Sequence, residues 1–270
     1  LSKEMINNLL SIGYSTLTPI QEKSLPITLG GNDLIAKAKT GSGKTAAFGI
    51  PLLSKLDVKL FRIQAMVLCP TRELADQVAT ELRKLAKFAH NIKITTLCGG
   101  VPYRPQVHSL SHKAHIIVGT PGRILKHLSE NNFETDHINT LVLDEADRML
   151  DMGFSEDIHA IIEHLPSQRQ TMLFSATYPQ KIEVLAKEIT NNPEYVEVES
   201  THSNEVISQT FYEASCHEEK LYGILKALQT YNPKSCIIFC NTKVACDELG
   251  DELEGYDIPL LVLHSDYEQR

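Results

Sequence analysis

The sequence predicts an α/β fold in which a parallel sheet carries helices on both faces. Apolar, strand-like runs precede helix-like segments, as in DLIAKA before AAFGIPLLSKL and QAMVLCP before TRELADQVATELRKLAKF. The order of strand, short turn and following segment recurs after KITTLC, HIIVGT and RQTMLFSAT. This alternation is typical of parallel sheets, because parallel neighbours need a crossover connection that a helix usually supplies.

A glycine-rich turn from Ala38 to Thr45, AKTGSGKT, lies between a predicted strand and a predicted helix. Gly41 and Gly43 allow successive backbone N–H groups to surround a phosphate, and the helix N-terminus adds partial positive charge. In such a loop Lys44 reaches the β and γ phosphates, and the Thr45 hydroxyl reaches a magnesium ion. Alanine replaces the usual first glycine at position 38, and a chance glycine-rich helix start is the alternative interpretation.

Two carboxylates, Asp144 and Glu145, follow an apolar run in NTLVLDEADRML. This position predicts that they lie at the carboxyl end of a buried strand, where open α/β sheets bind ligands. The alternative is an ordinary helix N-terminus, where carboxylates suit the helix dipole. The phosphate-binding pattern upstream favours a ligand site.

The first residues predict two short helices. Ser2 is placed to cap a helix over residues 2–11, and Thr18 followed by Pro19 predicts the start of the second. Pro26 is expected to end or kink this second helix. Gln21 lies in its first turn with an amide that matches the N6 and N7 edge of adenine. Spacing alone, however, favours a solvated Gln21.

Three turns after predicted strands, PTR, GG and TPGR, should emerge at one edge of the sheet. They offer hydroxyls, arginines and free backbone N–H groups, which suit a sugar-phosphate backbone bound without base reading. Taken singly, each is an ordinary turn or helix cap.

Size and charge limit the functional classes. The 270 residues suit two units, and the 42% hydrophobic content is enough for a buried core. Residues 1–198 contain 21 Lys and Arg against 21 Asp and Glu, and residues 199–270 contain 5 against 13. A broad basic surface for nucleic acid is therefore excluded, and RNA or DNA must be held by local groups. No membrane-spanning segment or signal peptide is expected.

The six cysteines, at positions 69, 98, 216, 236, 240 and 246, have no paired CxxC spacing. They are predicted to be reduced core thiols of a cytosolic, cytoplasmic protein. A zinc site formed by Cys236, Cys240 and His264 is the alternative, and burial on a strand face is favoured over it.

Domain boundaries follow from changes in pattern. Residues 1–198 form the predicted first domain, the polar stretch 199–206 a linker, and residues 207–270 the start of a second α/β domain. The second pattern has strands in VISQTFYEA, KSCIIFC and PLLVLHS, with helices in EEKLYGILKALQ and VACDELGDELEG. The chain stops three strands into this second sheet, so that domain is expected to be incomplete.

With these residues assembled, the chain resembles the DEAD-box ATP-dependent RNA helicases. TPIQ is similar to the Q motif, AKTGSGKT to motif I, PTRELA to motif Ia, the glycine pair to the GG motif, TPGR to motif Ib, DEAD to motif II, SAT to motif III and IIFCNT to motif IV. The wording of LCPTRELADQV, DEADRMLDMGF and FCNTK is similar to the bacterial DbpA branch, which acts on ribosomal RNA.

The resemblance implies two RecA-like domains that bind ATP and RNA across their cleft, and it implies roles for single residues. ATP, with Mg²⁺, would be held by Gln21, Thr40, Gly41, Ser42, Gly43, Lys44 and Thr45, and the implied catalytic residues are Glu145, Asp144 and Lys44. Thr45 and Asp144 would hold Mg²⁺ largely through water, Glu145 would orient the attacking water, and Ser175 and Thr177 would couple ATP to domain closure. RNA, including ribosomal RNA, would contact Thr71, Arg72, Gly100, Thr120, Gly122 and Arg123 through its backbone.

The sequence departs from the family pattern in several places. The aromatic residue upstream of the Q motif is absent, Ser265 replaces the glycine usual after His264, and motifs V and VI are missing. We therefore expect the 270 residues to bind nucleotide without efficient turnover. A DNA translocase with the same core, or an ATP-gated RNA clamp, remain alternative functions. The oligomeric state is left open, with a monomer as the working expectation.

Overall fold

A computed structural model describes residues 1–198 and 208–267 and divides the chain into two compact units, Leu1–Thr201 and His202–Arg270. The predicted linker at 199–206 lies outside the described residues and stays a prediction.

The first unit is built on a seven-stranded sheet in which every pairing is parallel. Its spatial order is β3-β4-β2-β5-β6-β1-β7. The strands are β1 (Leu34–Lys37), β2 (Ala65–Leu68), β3 (Ile94–Leu97), β4 (Ile116–Gly119), β5 (Thr140–Leu143), β6 (Gln170–Ser175) and β7 (Glu194–Glu197). The predicted parallel sheet is confirmed, and the turns that follow its strands lie at their carboxyl ends.

Nine α-helices accompany the described strands of this unit. They are α1 (Lys3–Ser11), α2 (Pro19–Leu29), α3 (Lys44–Lys55), α4 (Arg72–Leu85), α5 (Tyr103–Ser111), α6 (Pro121–Ser129), α7 (Ala146–Asp151), α8 (Ser155–Glu163) and α9 (Gln180–Ile189). Successive strand side chains point to opposite faces. Leu34 and Ala36 accordingly join a core with α1 to α4, while Ile35 joins another with α5 to α9. Helices therefore cover both faces, as predicted.

The first two helices begin as the sequence indicates. The Ser2 hydroxyl accepts a hydrogen bond from the Met5 N–H, which caps α1. Helix α2 begins at Pro19, and the backbone N–H of Thr18 donates to Gln21 Oε1 at 3.0 Å. Pro26 does not end this helix, which continues to Leu29.

The second unit contains α10 (His217–Tyr231) and α11 (Lys243–Glu254), both predicted, but its described residues 208–267 contain no β-strand. The strand predictions for KSCIIFC, PLLVLHS and the described part of VISQTFYEA are therefore wrong as regular strands. A strand is stabilised by hydrogen bonds to its neighbours, and these segments lack such ladders. Phe239, for example, is 91% exposed.

The cysteine prediction holds in part. All six cysteines are free, and Cys69 and Cys98 are buried as expected. Cys216 and Cys236 are exposed instead, and Cys240 and Cys246 are partly exposed, because residues 208–267 of the second unit form no sheet that would cover them. Within residues 1–198 and 208–267 no cluster of three His, Cys, Asp or Glu side chains is arranged to hold a metal. Nor is any described helix long and apolar enough to cross a membrane.

Candidate nucleotide site and RNA-facing edge

The glycine-rich turn connects β1 to α3 with two glycines in the left-handed region. Gly41 has φ +81° and Gly43 has φ +94°, and α3 begins directly afterwards at Lys44. A side chain at position 43 would also place its Cβ 2.5 Å from Gln21 Nε2, so only glycine fits there. The turn has the strand-to-helix context that phosphate loops require.

At the start of α3 lies a buried pair of opposite charges. Lys44 Nζ is 3.7 Å from Asp144 Oδ1, and the two side chains are only 5% and 4% exposed. Neither atom has a hydrogen-bond partner among the described residues. Burial raises the pKa of Asp144, Lys44 opposes this rise, and Glu145 adds to it. Buried charged groups normally have hydrogen-bond partners. Lys44 Nζ and Asp144 Oδ1 are therefore expected to receive such partners from a bound ligand.

A phosphate would satisfy the Lys44 ammonium, and a hydrated cation would satisfy the Asp144 carboxylate. Mg²⁺ keeps several waters and takes few protein ligands when it binds with phosphates. The residues present therefore fit a nucleotide with Mg²⁺. Thr45, one residue beyond Lys44, lines the same cleft.

The cleft has a volume of about 390 Å³ and is bounded on one side by the glycine-rich turn and on the other by α4. Tyr14 also lines it, and its hydroxyl donates to Glu81 Oε1 at 3.0 Å. Burial, with the nearby Glu81 carboxylate, raises the pKa of Tyr14 to about 12. The position of Tyr14 and α4 at this cleft was not predicted from the sequence, because both are far from the glycine-rich turn in the chain.

Glu145 is the N-cap residue directly before α7 and has a left-handed conformation, with φ 55° and ψ 52°. Its carboxylate accepts a hydrogen bond from Thr40 Oγ1 at 2.8 Å and lies 3.4 Å from Arg148 Nη1. A non-glycine residue in this region is uncommon, and such strain is concentrated at functional sites. Thr40 therefore links the glycine-rich turn directly to the acidic pair.

Gln21 is 2% exposed, so the solvated position favoured by spacing alone is wrong. Its Oε1 accepts from Thr18 N–H at 3.0 Å, and its Nε2 donates to the Gly43 carbonyl at 3.1 Å. These two bonds fix which way the amide points. One acceptor position and one N–H remain for a ligand.

Ser175 and Thr177 both contact Asp147, the last residue of the acidic motif. Thr177 donates to Asp147 Oδ2 from its N–H at 2.9 Å and from its hydroxyl at 2.8 Å, while Ser175 Oγ accepts from Asp147 N–H at 3.3 Å. Burial tends to raise the pKa of Asp147, but hydrogen bonds to its carboxylate, chiefly those from the Thr177 hydroxyl and N–H, outweigh it and lower that pKa. Asp147 was not singled out from the sequence, although the acidic motif contains it.

The predicted RNA-facing turns lie together at the carboxyl edge of the sheet. Gly99 N–H donates to Thr120 Oγ1 at 3.3 Å, and Arg123 Nη1 donates to the Val101 carbonyl at 3.1 Å. Thr71 caps α4 by accepting from Leu74 N–H at 3.3 Å.

The three other predicted residues, Arg72, Gly100 and Gly122, belong to the same edge. A Cβ added to Gly100, which has φ +74°, would lie 3.9 Å from Arg72 Nη1. Gly122 is close to α8, since an added Cβ would lie 3.2 Å from Asp157 Oδ2. The expectation that the three turns meet at one edge is confirmed.

Comparison with known proteins agrees with this geometry. The family model described as "DEAD/DEAH box helicase" matches residues 18–185. The chain is 51% identical over 265 residues to the ATP-dependent RNA helicase DbpA of Escherichia coli (strain K12), covering 98% of this chain and 58% of that protein. It is 42% identical over 270 residues to the DEAD-box ATP-dependent RNA helicase CshA of Geobacillus kaustophilus, covering 100% of this chain and 57% of that protein.

Solved structures show the same relationship. A DEAD box protein from the hyperthermophile Methanococcus jannaschii matches with a TM-score of 0.70 and 35% identity, over 99% of this chain and 72% of that one. S. cerevisiae Dbp5 bound to RNA and ADP BeF3 matches with a TM-score of 0.82 and 28% identity, over 99% and 68%. The chain spans less than three fifths of the two curated relatives. By motif, by geometry and by these similarities, the chain belongs to the DEAD/DEAH box helicase family.

Proposed function

We propose that the protein is an ATP-dependent RNA helicase that couples RNA-stimulated ATP hydrolysis to the local unwinding of short RNA duplexes. The observation that carries the proposal is the buried, unsatisfied pair of Lys44 and Asp144 beneath the glycine-rich turn. It adjoins a sheet edge that offers backbone donors and arginines. The similarity to curated ATP-dependent RNA helicases supports the same activity.

ATP binding would begin with the phosphates at the glycine-rich turn. The N–H groups of Thr40, Gly41, Ser42 and Gly43 and the Lys44 ammonium would neutralise their charge. Gln21 would bind adenine with its remaining acceptor and N–H, which match the N6 amino group and N7 of that base. Because Thr18 and Gly43 fix the amide orientation, Gln21 would select adenine over guanine.

Hydrolysis would depend on positioning and charge neutralisation, because phosphoryl transfer requires little covalent chemistry from the protein. Mg²⁺, when bound through Thr45, Asp144 and water, would neutralise charge that develops on the phosphates. Glu145 would orient the attacking water, and its bonds to Thr40 and Arg148 would hold the carboxylate at the cleft until then.

Coupling to RNA would run through Ser175 and Thr177. Both contact Asp147, which lies two residues after Glu145 in the chain. A change in the nucleotide state at Asp144 and Glu145 could therefore alter the hydrogen bonds of both hydroxyls. RNA would be held along its backbone by Thr71, Arg72, Gly100, Thr120, Gly122 and Arg123.

We further propose a ribosomal RNA substrate, as in ribosomal RNA remodelling or ribosome assembly. This narrower proposal is supported by the 51% identity to a protein named DbpA and by the resemblance of the motif wording to that branch. A competition assay tests it, because a ribosomal RNA fragment should compete better for the complete protein than an unrelated structured RNA of equal length. Equal competition would contradict the ribosomal preference and leave the helicase proposal intact.

The helicase activity itself is tested by phosphate release and strand separation. We expect single-stranded RNA to stimulate ATP hydrolysis by the complete protein, and ATP to drive separation of a short RNA duplex. Stimulation by duplex DNA alone would favour a DNA translocase. Slow RNA release with ATP bound and no strand separation would favour an RNA clamp.

A further inference from the structure

Behind the RNA-facing edge lies a buried hydrogen-bonded pair, Gln106 on α5 and His127 on α6. They are 7% and 0% exposed. Gln106 Nε2 lies 3.0 Å from the Cys98 carbonyl, and Gln106 Oε1 lies 3.2 Å from His127 Nε2. Neither side chain can contact RNA directly.

The chemistry of these atoms fixes the direction of both bonds. The Cys98 carbonyl can only accept, so Gln106 must present its N–H₂ group there and its oxygen to His127. His127 must then carry its proton on Nε2. Its Nδ1, which is buried and has no hydrogen-bond partner in the described part of the chain, is left as a bare acceptor.

The surroundings keep His127 in this neutral form. Burial, with the positive charges of Arg123 and Lys126, lowers the pKa of His127 to about 4, and Glu130 only partly opposes them. The Tyr103 ring stacks on His127 with a centroid separation of 4.4 Å, and Lys126 Nζ lies 4.6 Å from the centroid of that ring. One tautomer is therefore enforced at physiological pH.

The Cys98 carbonyl that accepts from Gln106 belongs to the turn that contains Gly99 and Gly100. Among the described residues, side chains hold that turn at three points: Gln106 at Cys98, Thr120 at Gly99, and Arg123 at Val101. Thr120 and Arg123 are themselves proposed RNA contacts, so RNA would compete for their hydrogen-bonding groups. The attachment through Gln106 is buried and would persist when RNA binds.

We infer that Gln106 and His127 are positioning residues for RNA binding, which hold the Gly99–Gly100 turn in its RNA-binding conformation through the Cys98 carbonyl. This inference rests on the proposed function. It assigns no contact with RNA to either residue.

The test measures the affinity of the complete protein for a short single-stranded oligouridylate with a non-hydrolysable ATP analogue, beside its affinity for a fluorescent ADP. His127→Leu removes the N–H and leaves Gln106 Oε1 unpaired, so RNA affinity should fall about tenfold. Nucleotide affinity should stay unchanged. In His127→Gln the amide nitrogen is as many bonds from Cβ as Nε2 is in histidine. This variant can therefore still donate to Gln106 Oε1 and should retain RNA binding.

A matched control is His115, which is also fully buried and lies at the amino end of β4, away from the RNA-facing turns. Its ring binds the backbone N–H of Lys93, just before β3, and the carbonyl of Val58, in the loop before β2. His115→Leu should lower Tm without a selective loss of RNA affinity. Gln106→Met provides a second variant and should behave like His127→Leu.

Two results would overturn the inference. Unchanged RNA affinity in both His127→Leu and Gln106→Met would show that the turn needs no such support. Equal losses of RNA and nucleotide affinity would show a general structural role. A wild-type protein that binds nucleotide but not RNA would overturn the proposed function as well, so the two failures are distinguishable.

Discussion

Lys44 Nζ lies 3.7 Å from Asp144 Oδ1, and neither atom has a hydrogen-bond partner in the part of the chain that the structure describes. Lys44→Ala should therefore remove the main cation for the phosphates and weaken ATP binding at least about tenfold. The measurement is ATP affinity by fluorescence titration. Lys39→Ala, in the same turn but exposed, is the control and should bind ATP normally. Unchanged affinity in Lys44→Ala would mean that the turn has only a structural role.

Gln21 should determine the preference for ATP over GTP. Thr18 and Gly43 hold its amide in one orientation, so the amide cannot turn over to accommodate guanine, which presents the O6 acceptor where adenine presents an amino group. Gln21→Ala should remove most of the preference, measured as the ratio of the two dissociation constants. The exposed neighbour Glu22, replaced by Ala, should keep it. A wild-type protein that binds both nucleotides equally would refute this role.

Much of this site could be predicted from the sequence, because its signals are local. The apolar run of β1 directly precedes the glycines of the turn, and together they predict phosphate-loop geometry. The apolar run of β5 likewise directly precedes the acidic pair. The burial of Gln21 could not be predicted, since it depends on a contact with Gly43 across 22 residues. Asp147 was missed for a similar reason, because its partner Thr177 is 30 residues away.

The second unit shows the opposite case, where local signals were misleading. Residues 234–240 and 259–265 have strand-like composition, yet they form no regular strand. A β-strand is defined by its hydrogen-bonded neighbours, so composition alone does not produce one. Helices α10 and α11 were predicted correctly because their hydrogen bonds are internal to each segment.

Ser175 and Thr177 should couple ATP hydrolysis to unwinding without performing hydrolysis. Their hydroxyls contact Asp147 and not the carboxylate of Glu145. Replacing both with Ala should reduce the rate of RNA unwinding several-fold while RNA-stimulated phosphate release stays close to wild type. Both rates are measured in the complete protein under the same conditions. A proportional loss of both would place the hydroxyls in the hydrolytic step.

Glu145→Gln should preserve ATP binding and reduce hydrolysis by a factor of about 10² to 10⁴, the usual contribution of a positioned acid or base. The amide oxygen can still accept from Thr40, which keeps the local structure, but it cannot polarise water as a carboxylate does. Single-turnover phosphate release measures the effect. Asp151→Asn, on the same helix but exposed, is the control. Hydrolysis at the wild-type rate would refute the role of Glu145.

The last prediction concerns acid stability and the buried histidines. Burial lowers the pKa of His115, and burial with neighbouring positive charge lowers that of His127 to about 4, both from an ordinary 6.5. Between the folded and unfolded pKa values the unfolded chain binds more protons, so each residue makes the free energy of unfolding rise with pH. This contribution is complete above about pH 6.5 and is lost as the pH falls toward 4 for His127.

Urea unfolding at pH 7.5 and pH 5.5 measures this effect. His127→Gln should lose less stability than wild type over this interval, by about 1 kcal/mol, because glutamine does not titrate. His137→Gln, at an exposed position, should follow the wild-type dependence. An identical pH dependence for His127→Gln and wild type would show that His127 does not remain neutral in the folded protein. The tautomer that links it to Gln106 and the Cys98 carbonyl would then be wrong.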